Sequence, residues 1–280
     1  MKKTLITTLL AFSSCLFVKA DASMVIIDYQ GPTLVQQNTI EQNLLINSDD
    51  GGLYDIALRP LDDALRNTDG TVVIPLEHIY INNTHEDVYF RYHEYSTLFR
   101  GLEMGGVAKN MTAKVRDFGM VPAGIYNLNF EIQARDSETQ NIASVSTFML
   151  QFVVRPEQSL SFAGEEVAIN VDAKDAFAKN KKITTSTNPI IHINSNVNWI
   201  LSVNTDRFGE NAGNYYIRTI ASSAQVNERL QERIQLYPDK EIVIAKGKAP
   251  SNNEYVSIEL AVEGKDGKIL KAGNYYNNLR

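Results

Sequence analysis

The chain has 280 residues, of which 44% are hydrophobic and 21% charged, and its formal net charge is −6. This composition suits packed cores rather than disorder, and the length suits about two domains. The negative charge argues against nucleic acid as a partner, because that binding depends mainly on Lys and Arg side chains that contact phosphates.

The N-terminal segment has the pattern of a secretory signal peptide, predicted over 1–20. Two lysines precede an apolar stretch too short to span a bilayer comfortably, and cleavage after Ala20 or Ala22 follows small residues. A buried helix and a lipoprotein signal at Cys15 are the alternatives. The sequence therefore predicts a secreted protein, in the periplasm or at the cell surface, which is not an integral membrane protein. Without Cys15 the mature chain has no cysteine for disulfides.

Alternating apolar and polar residues predict half-buried β-strands along most of the chain. The most regular runs, in chain order, are 128–134, 147–154, 197–203 and 256–262. Less regular runs are 24–29, 42–46, 53–58, 71–80, 87–92, 166–171 and 241–245. Turn residues at 265–268 predict a tight hairpin between 256–262 and the C-terminal segment. Many short strands at this spacing predict an all-β sandwich fold.

Two stretches have helical features. In 224–235, Val226, Leu230 and Ile234 recur every four residues, although like charges at the same spacing weaken a helix, and a strand over 233–237 fits equally well. The stretch 60–67 could form one or two helical turns.

A strand pattern ends at Val154, and Pro156 stops it. We therefore predict two tandem immunoglobulin-like β-sandwich domains after the signal peptide, an N-terminal one over 21–155 and a C-terminal one over 156–280.

A short phrase with Gly followed by Tyr occurs before the strand at 128–134 and again near the C-terminus. Gly124 and Gly273 are predicted to let the chain turn sharply into a strand. Tyr126 and Tyr275 are predicted to pack at the core edge, with the hydroxyl reaching a partner. A third copy at 212–215 shows that chance explains part of this repetition.

Five residues follow Tyr275, whereas a closing strand of the first kind needs about seven. The sequence is therefore a fragment, or the C-terminal sandwich lacks a complete last strand. A missing strand leaves an edge that a neighbouring chain can fill by strand addition. The segment 22–37 is a candidate donor, and the favoured alternative is that it forms this chain's own first strand.

No signature of a hydrolase, kinase or nucleotide-binding site is present. His78, His85 and His93 are seven and eight residues apart, which matches no zinc pattern. We therefore predict no enzymatic activity, no cofactor and no metal, with a hydrolase of unrecognised site as the remote alternative.

Aromatic residues concentrate between 87 and 99, and Tyr and Arg are favoured at binding surfaces. The candidate partner-binding residues are Tyr89, Arg91, Tyr92, His93 and Tyr95. In a strand, Tyr89, Arg91 and His93 would face outward together. The alternative is an edge strand with one aromatic face buried.

The run PAGIYNLNFEIQA (122–134) resembles the last-strand signature of bacterial secreted β-sandwich domains of the fimbrial-subunit and spore-coat-U type. The run NVNWILSVNTD (196–206), with Trp199 as its core residue, resembles the Trp-x-Leu motif of cell-wall-binding surface proteins. That family's cell-wall function is not carried over, because its second Trp-x-Leu motif is absent. The resemblances imply a bacterial surface or pilus-like β-domain.

The prediction that follows is a secreted surface or fimbrial-type structural or adhesion subunit that assembles or binds through β-strand edges. Its partner is another protein or a second copy of the chain. The alternative is a periplasmic or envelope module that binds a glycan or a protein.

Overall fold

In the computed structural model the chain consists almost entirely of antiparallel β-strands, which confirms the all-β sandwich prediction. The structure describes residues 25–36, 39–48, 51–103, 105, 108–163, 169–171, 182–185, 187–205, 213–264 and 273–275. The predicted signal peptide and the turn at 265–268 lie outside these residues. No helix in the described ranges is long and apolar enough to cross a membrane.

Two sheets form the first half of the described chain. Sheet 1 has the order β1-β2-β9-β6-β7, with β1 (Val25–Gln36), β2 (Thr39–Ser48), β9 (Lys109–Val115), β6 (Ile79–Asn82) and β7 (Asp87–Tyr89). Sheet 2 has the order β5-β4-β10-β3-β8, with β11 paired to β10: β5 (Val73–Pro75), β4 (Ala64–Asn67), β10 (Gly124–Asp136), β3 (Leu53–Pro60), β8 (Ser96–Glu103) and β11 (Ile142–Val154). A 3₁₀ helix spans Leu76–His78.

Three further sheets follow. Sheet 3 has the order β12-β15-β21-β17-β19, with β14 also paired to β21: β12 (Gln158–Ala163), β15 (Ile190–Ser195), β21 (Ser251–Glu263), β17 (Asn214–Ser222), β19 (Ile234–Gln235) and β14 (Ile183–Thr184). Sheet 4 has the order β16-β20-β18, with β16 (Trp199–Val203), β20 (Ile242–Gly247) and β18 (Val226–Arg229). The last sheet pairs β13 (Ile169–Val171) with β22 (Gly273–Tyr275).

Alternation places one face of each long strand in a core. In β10 the even-numbered residues from Tyr126 to Ala134 are buried, while Asn127, Asn129 and Glu131 point outward. The buried residues fall into two separate clusters, one within 25–154 and the other within 169–262. The gap between them follows the end of β11 and contains the whole of β12. The predicted domain boundary at 155/156 and the immunoglobulin-like connectivity remain predictions.

The two helical stretches are not helices. Residues 224–235 contain β18 and β19, and backbone pairing of β18 with β20 replaces the helical hydrogen bonds. In 60–67 a bend follows β3 and leads into β4, where Ala64 and Leu65 are both buried. Tertiary pairing and burial outweighed a weak local helical preference in both places.

Two predictions about the chain ends can be compared with the described residues. The segment predicted as strand donor or first strand contains β1, which pairs with β2 of its own chain, in agreement with the favoured alternative. The predicted hairpin of 256–262 with the C-terminal segment is wrong, because Gly273–Tyr275 pairs with β13. Residues 276–280, which bear on the incomplete last strand, lie outside the described ranges.

Asn196 joins the two halves of the chain. It is 4% exposed, and its side-chain oxygen accepts a hydrogen bond from Glu157 N–H (2.7 Å) while its side-chain nitrogen donates to the Arg155 carbonyl (2.8 Å). Its own carbonyl accepts from the N–H of Ala123 in the first half (2.8 Å). The segment after β11 is therefore held to both halves by one amide side chain and its backbone.

Replacing Asn196 with alanine should loosen this junction. The change removes an acceptor and a donor at a buried position, which we expect to cost about 1–3 kcal/mol in the free energy of unfolding. Urea unfolding followed by far-UV circular dichroism and by the fluorescence of Trp199, the chain's single tryptophan, measures the effect. Asn252→Ala, at an exposed position of β21, is the control; equal stability of the two variants would contradict the role given to Asn196.

Candidate binding surfaces

The predicted aromatic surface is a turn rather than a strand. Strand β7 ends at Tyr89, and residues 91–95 are all exposed, with His93 at a φ of +62°. Tyr89, Arg91 and His93 are all exposed, but they do not alternate along one strand, because β7 ends at Tyr89; their role in binding a partner remains a prediction. Phe90 is buried against Phe130, with ring centroids 4.9 Å apart, and anchors the turn as the chain passes from sheet 1 to sheet 2.

The five candidate residues are divided among three settings. Tyr89, 54% exposed, has its ring 5.3 Å from that of Tyr80 in sheet 1. Tyr92 and His93 stack at the tip of the turn, with centroids 3.8 Å apart. Arg91 is also at the tip, with an 84% exposed side chain. Tyr95 packs elsewhere, against sheet 2.

Tyr95 belongs to a polar network on the outer face of sheet 2. Its hydroxyl donates to Glu131, whose other carboxylate oxygen lies 2.9 Å from an Arg59 nitrogen, and the Arg59 guanidinium lies 5.0 Å from the centre of the Tyr95 ring. Burial and the bond to Glu131 raise the pKa of Tyr95, and the same bond lowers the pKa of Glu131, with help from Arg59. Because these groups satisfy one another, Tyr95 is less available to a partner than the exposed side chains at the tip of the turn, where Arg91 lies 3.9 Å from Glu94.

The two Gly-Tyr phrases have different settings. Gly124 is the first residue of β10, and the Tyr126 ring is fully buried, with its hydroxyl donating to the Pro122 carbonyl (2.7 Å). The bond spans the phrase and fixes the entry into the strand. Gly273 and Tyr275 begin and end β22, a strand of three residues. The first copy therefore enters a long strand, and the described part of the second is a short pairing with β13.

Trp199 is a core residue of the second half. It is 6% exposed, and its indole N–H donates to the Ser251 hydroxyl (2.7 Å). A Cβ at Gly247 on the neighbouring strand would lie 2.3 Å from the indole ring, so only glycine fits there. These contacts indicate that Trp199 stabilises the core of the second half of the chain.

Sequence reasoning did not identify a second exposed surface, which is strand β12, Gln158–Ala163. All six of its residues are exposed, and its one strand partner is β15. Leu160 is 52% exposed and Phe162 60%. The strand has no charged residue and no proline. In the described part of the chain its second edge is unpaired.

The apolar side chains of β12 continue the core face of sheet 3. Leu160 lies opposite Ile193 and Phe162 opposite Ile191, and directly opposite residues share a face of the sheet. The two isoleucines are 2% and 4% exposed, so they lie in the core. Among the described residues, the core face of sheet 3 therefore extends one strand beyond the side chains that cover it.

The edge of β11 in sheet 2 is protected by hydrogen bonds from side chains of β1. There the Tyr29 hydroxyl accepts from Gln151 N–H (2.8 Å) and donates to the Met149 carbonyl, and the Thr33 hydroxyl accepts from Val153 N–H (2.8 Å). Side chains from β1 thus satisfy backbone groups that would otherwise be open to another strand. Charges, prolines, bulges and covering groups are the usual protections of an edge, and β12 has none of these within its six residues.

The sequence contains one signal for this surface. Residues 158–163 read Gln-Ser-Leu-Ser-Phe-Ala, an alternating pattern typical of a strand. Alternation shows that Leu160 and Phe162 share a face, but it does not show whether another element covers that face.

The described residues contain no group of three or more His, Cys, Asp or Glu side chains arranged to hold a metal ion.

Comparison with solved structures gives several matches of low similarity. One is the BSP domain of a biofilm associated protein, at 11% identity and a TM-score of 0.24, covering 87% of this chain and 50% of that one. Another is the C-terminal domain of the Streptococcus agalactiae antigen I/II polypeptide BspA, at 9% identity and a TM-score of 0.25, covering 91% and 94%. A third is the C-terminal domain of the Streptococcus pyogenes antigen I/II-family protein AspA, at 8% identity and a TM-score of 0.21, covering 92% and 94%.

The chain spans half the length of the first of these proteins. All three TM-scores lie below 0.5, so the alignments establish neither a shared fold nor a family. No protein-family model and no curated protein matches the sequence. The resemblance to fimbrial subunits and spore-coat-U proteins remains a prediction.

Proposed function

We propose that this chain is an exported, non-enzymatic bacterial surface module that acts in adhesion or assembly by accepting a partner strand at β12. The observation that carries the proposal is an uncharged edge that no described strand pairs with, on which Leu160 and Phe162 remain exposed beside a buried core face. Strand addition uses these features: open backbone groups provide affinity, and alternate side chains provide specificity. The N-terminal sequence pattern supports export.

The two exposed apolar side chains suit a protein partner. Burying apolar surface contributes roughly 25 cal/mol per Å², so covering a Leu and a Phe side chain provides a few kcal/mol beyond the backbone hydrogen bonds. A fimbrial-type subunit and a single surface module would both use the edge in this way. The two differ in whether the partner is another subunit of a fibre.

The test is attachment of bacteria that produce the full chain to a film that contains the purified full chain together with mixed serum proteins. Protease added to intact cells should cleave the chain, which checks its location. The double variant Leu160→Lys/Phe162→Lys should reduce attachment to the level of cells without the chain, because charges protect an edge from pairing. Ile200→Lys/Val243→Lys, at 64% and 44% exposed positions of sheet 4, is the matched control and should attach like wild type. Protection of the chain from protease, or equal attachment of both double variants, would refute the proposal.

A second candidate function is glycan binding by an envelope module, through the tip of the 91–95 turn. The stacked rings of Tyr92 and His93, with Arg91 beside them, offer an aromatic face and a cation. If this function is correct, cells that produce Tyr92→Ala/His93→Ala should lose attachment in the same assay, while cells that produce Leu160→Lys/Phe162→Lys should attach like wild type.

A further inference from the structure

We infer that the partner strand at β12 is β12 of a second copy of this chain, paired antiparallel about a two-fold axis at Ser161. This inference rests on the proposed function and specifies its partner. It follows from three properties of the strand: which backbone groups are open, which side chains would meet, and the absence of charge.

The open backbone groups belong to alternate residues. Just before β12, Asn196 N–H donates to the Glu157 carbonyl (3.1 Å), and the register continues from this pair into β15. In antiparallel strands, hydrogen-bonded and non-hydrogen-bonded pairs alternate. The odd-numbered residues of β12 therefore direct their backbone groups toward β15, and Gln158, Leu160 and Phe162 direct theirs to the open side.

Only some registers between two copies bring these groups together. Open groups must face open groups, and the core faces of both copies must lie on the same side of the joined sheet. Both conditions are met when Ser161 lies opposite the partner's Ser161, which places Leu160 opposite the partner's Phe162 and Phe162 opposite the partner's Leu160. Each of these two pairs then exchanges two backbone hydrogen bonds, and aromatic–aliphatic contacts form across the seam.

The neighbouring register, centred on Leu160, pairs all three open residues, one pair more than the register centred on Ser161. It places Phe162 opposite Gln158 of the partner, so an exposed aromatic ring meets an amide and the Leu–Phe contacts are lost. We prefer the register centred on Ser161 because covering both Phe162 rings with a Leu160 side chain contributes more than the net gain of one further pair of exposed hydrogen bonds.

The absence of charge allows a second copy to pair at this edge without repulsion. The chain carries a net charge of −6, but the six residues of β12 contribute none of it. Two copies therefore meet at this edge without like charges opposite each other. A six-residue strand pair covers less area than the 1,200–2,000 Å² of a typical stable interface, so pairing should be weak in solution and stronger among many copies on a surface.

Cysteine cross-linking tests the register. In the full chain carrying Cys15→Ser, Ser161→Cys would place two thiols opposite each other in a non-hydrogen-bonded pair, with Cα atoms about 4.5 Å apart, within disulfide range. Under mild oxidation we expect a disulfide-linked dimer of twice the monomer mass. Ser159→Cys is the matched control: the two Ser159 positions would lie four residues apart, more than about 13 Å, and should not cross-link.

Further variants separate the possible outcomes. Adding Leu160→Lys to the Ser161→Cys chain should abolish the dimer, while adding Ile200→Lys should not. Cross-linking of Leu160→Cys in place of Ser161→Cys would overturn the register. If no β12 cysteine cross-links but the lysine variants still lose attachment, self-pairing is refuted and the proposed function stands with a different partner. If neither cross-linking nor attachment depends on β12, both are refuted.

Discussion

Replacing Trp199 with alanine is expected to lower the free energy of unfolding of the second half of the chain by about 3–5 kcal/mol. The indole is almost fully buried, packs against Gly247 and donates its N–H to the Ser251 hydroxyl. Its loss removes apolar contact area and leaves a cavity between β16 and β20. Because the variant has no tryptophan, urea unfolding is followed by far-UV circular dichroism.

The matched control is Ile200→Ala. Ile200 is the next residue of β16, points to the opposite face and is 64% exposed. Its truncation should change the free energy of unfolding by less than about 0.5 kcal/mol. Equal effects of the two substitutions would show that the indole does not hold this core together.

Gly247→Ala probes the same contact from the other side. A new Cβ 2.3 Å from the indole forces the ring or the strand to move, which we expect to destabilise by about 1–3 kcal/mol. The fluorescence of Trp199 follows this unfolding directly. In Trp199→Ala/Gly247→Ala the clash is gone, so the combined loss should be smaller than the sum of the single losses. Additive losses would contradict the clash.

The second large effect is expected for Tyr126→Phe, at the entry to β10. The substitution keeps the ring in the core but removes the hydroxyl that donates to the Pro122 carbonyl (2.7 Å). Losing the bond and leaving a carbonyl without its partner should cost about 1–3 kcal/mol. Far-UV circular dichroism during urea unfolding gives the stability, and hydrogen exchange within 124–136 shows whether the loss is local. Tyr92→Phe, in the exposed turn, is the control.

The same hydroxyl predicts a dependence on alkaline pH. Burial raises the pKa of Tyr126 from its ordinary value of 10.0 to about 12. The folded chain therefore holds this proton more tightly than the unfolded chain does. The resulting stability is fully present below pH 10 and is lost as the pH rises through 12. Two pKa units correspond to about 3 kcal/mol in total, of which about 2 kcal/mol is lost between pH 10 and 12; wild type should lose about this much more than Tyr126→Phe over that interval. Parallel pH profiles would contradict the shift.

Much of the fold could be predicted from local pattern. Period-two alternation identified the long strands β10, β11 and β21, because a strand that buries one face must alternate along its length. Period-two alternation was weakest in segments whose secondary structure depends on pairing with strands far away in the sequence. Residues 224–235 have a helical spacing of apolar residues, yet they form β18 and β19 because their backbone groups find partners in β20 and β17.

The candidate binding residues remain a prediction, but the structure divides them for a related reason. The cluster from Tyr89 to Tyr95 was selected by composition. In the structure, two of its rings contact other residues of the chain: Tyr89 packs against Tyr80, and Tyr95 contacts Glu131 and Arg59. Composition shows which side chains suit binding, but it does not show which of them are already satisfied. The exposed tip of the turn could be recognised only from the coordinates.

The sequence by itself determined the strand character of the chain, the faces on which Phe130 and Leu150 lie, and the glycine and tyrosine of the β10 entry, because these depend on neighbours along the chain. Only the tertiary structure decided that Asn196 joins the two halves, that Tyr29 protects the edge of β11, and that nothing in the described chain pairs with the outer edge of β12. These features depend on which strands lie side by side, and strand order is set by contacts between residues far apart in sequence.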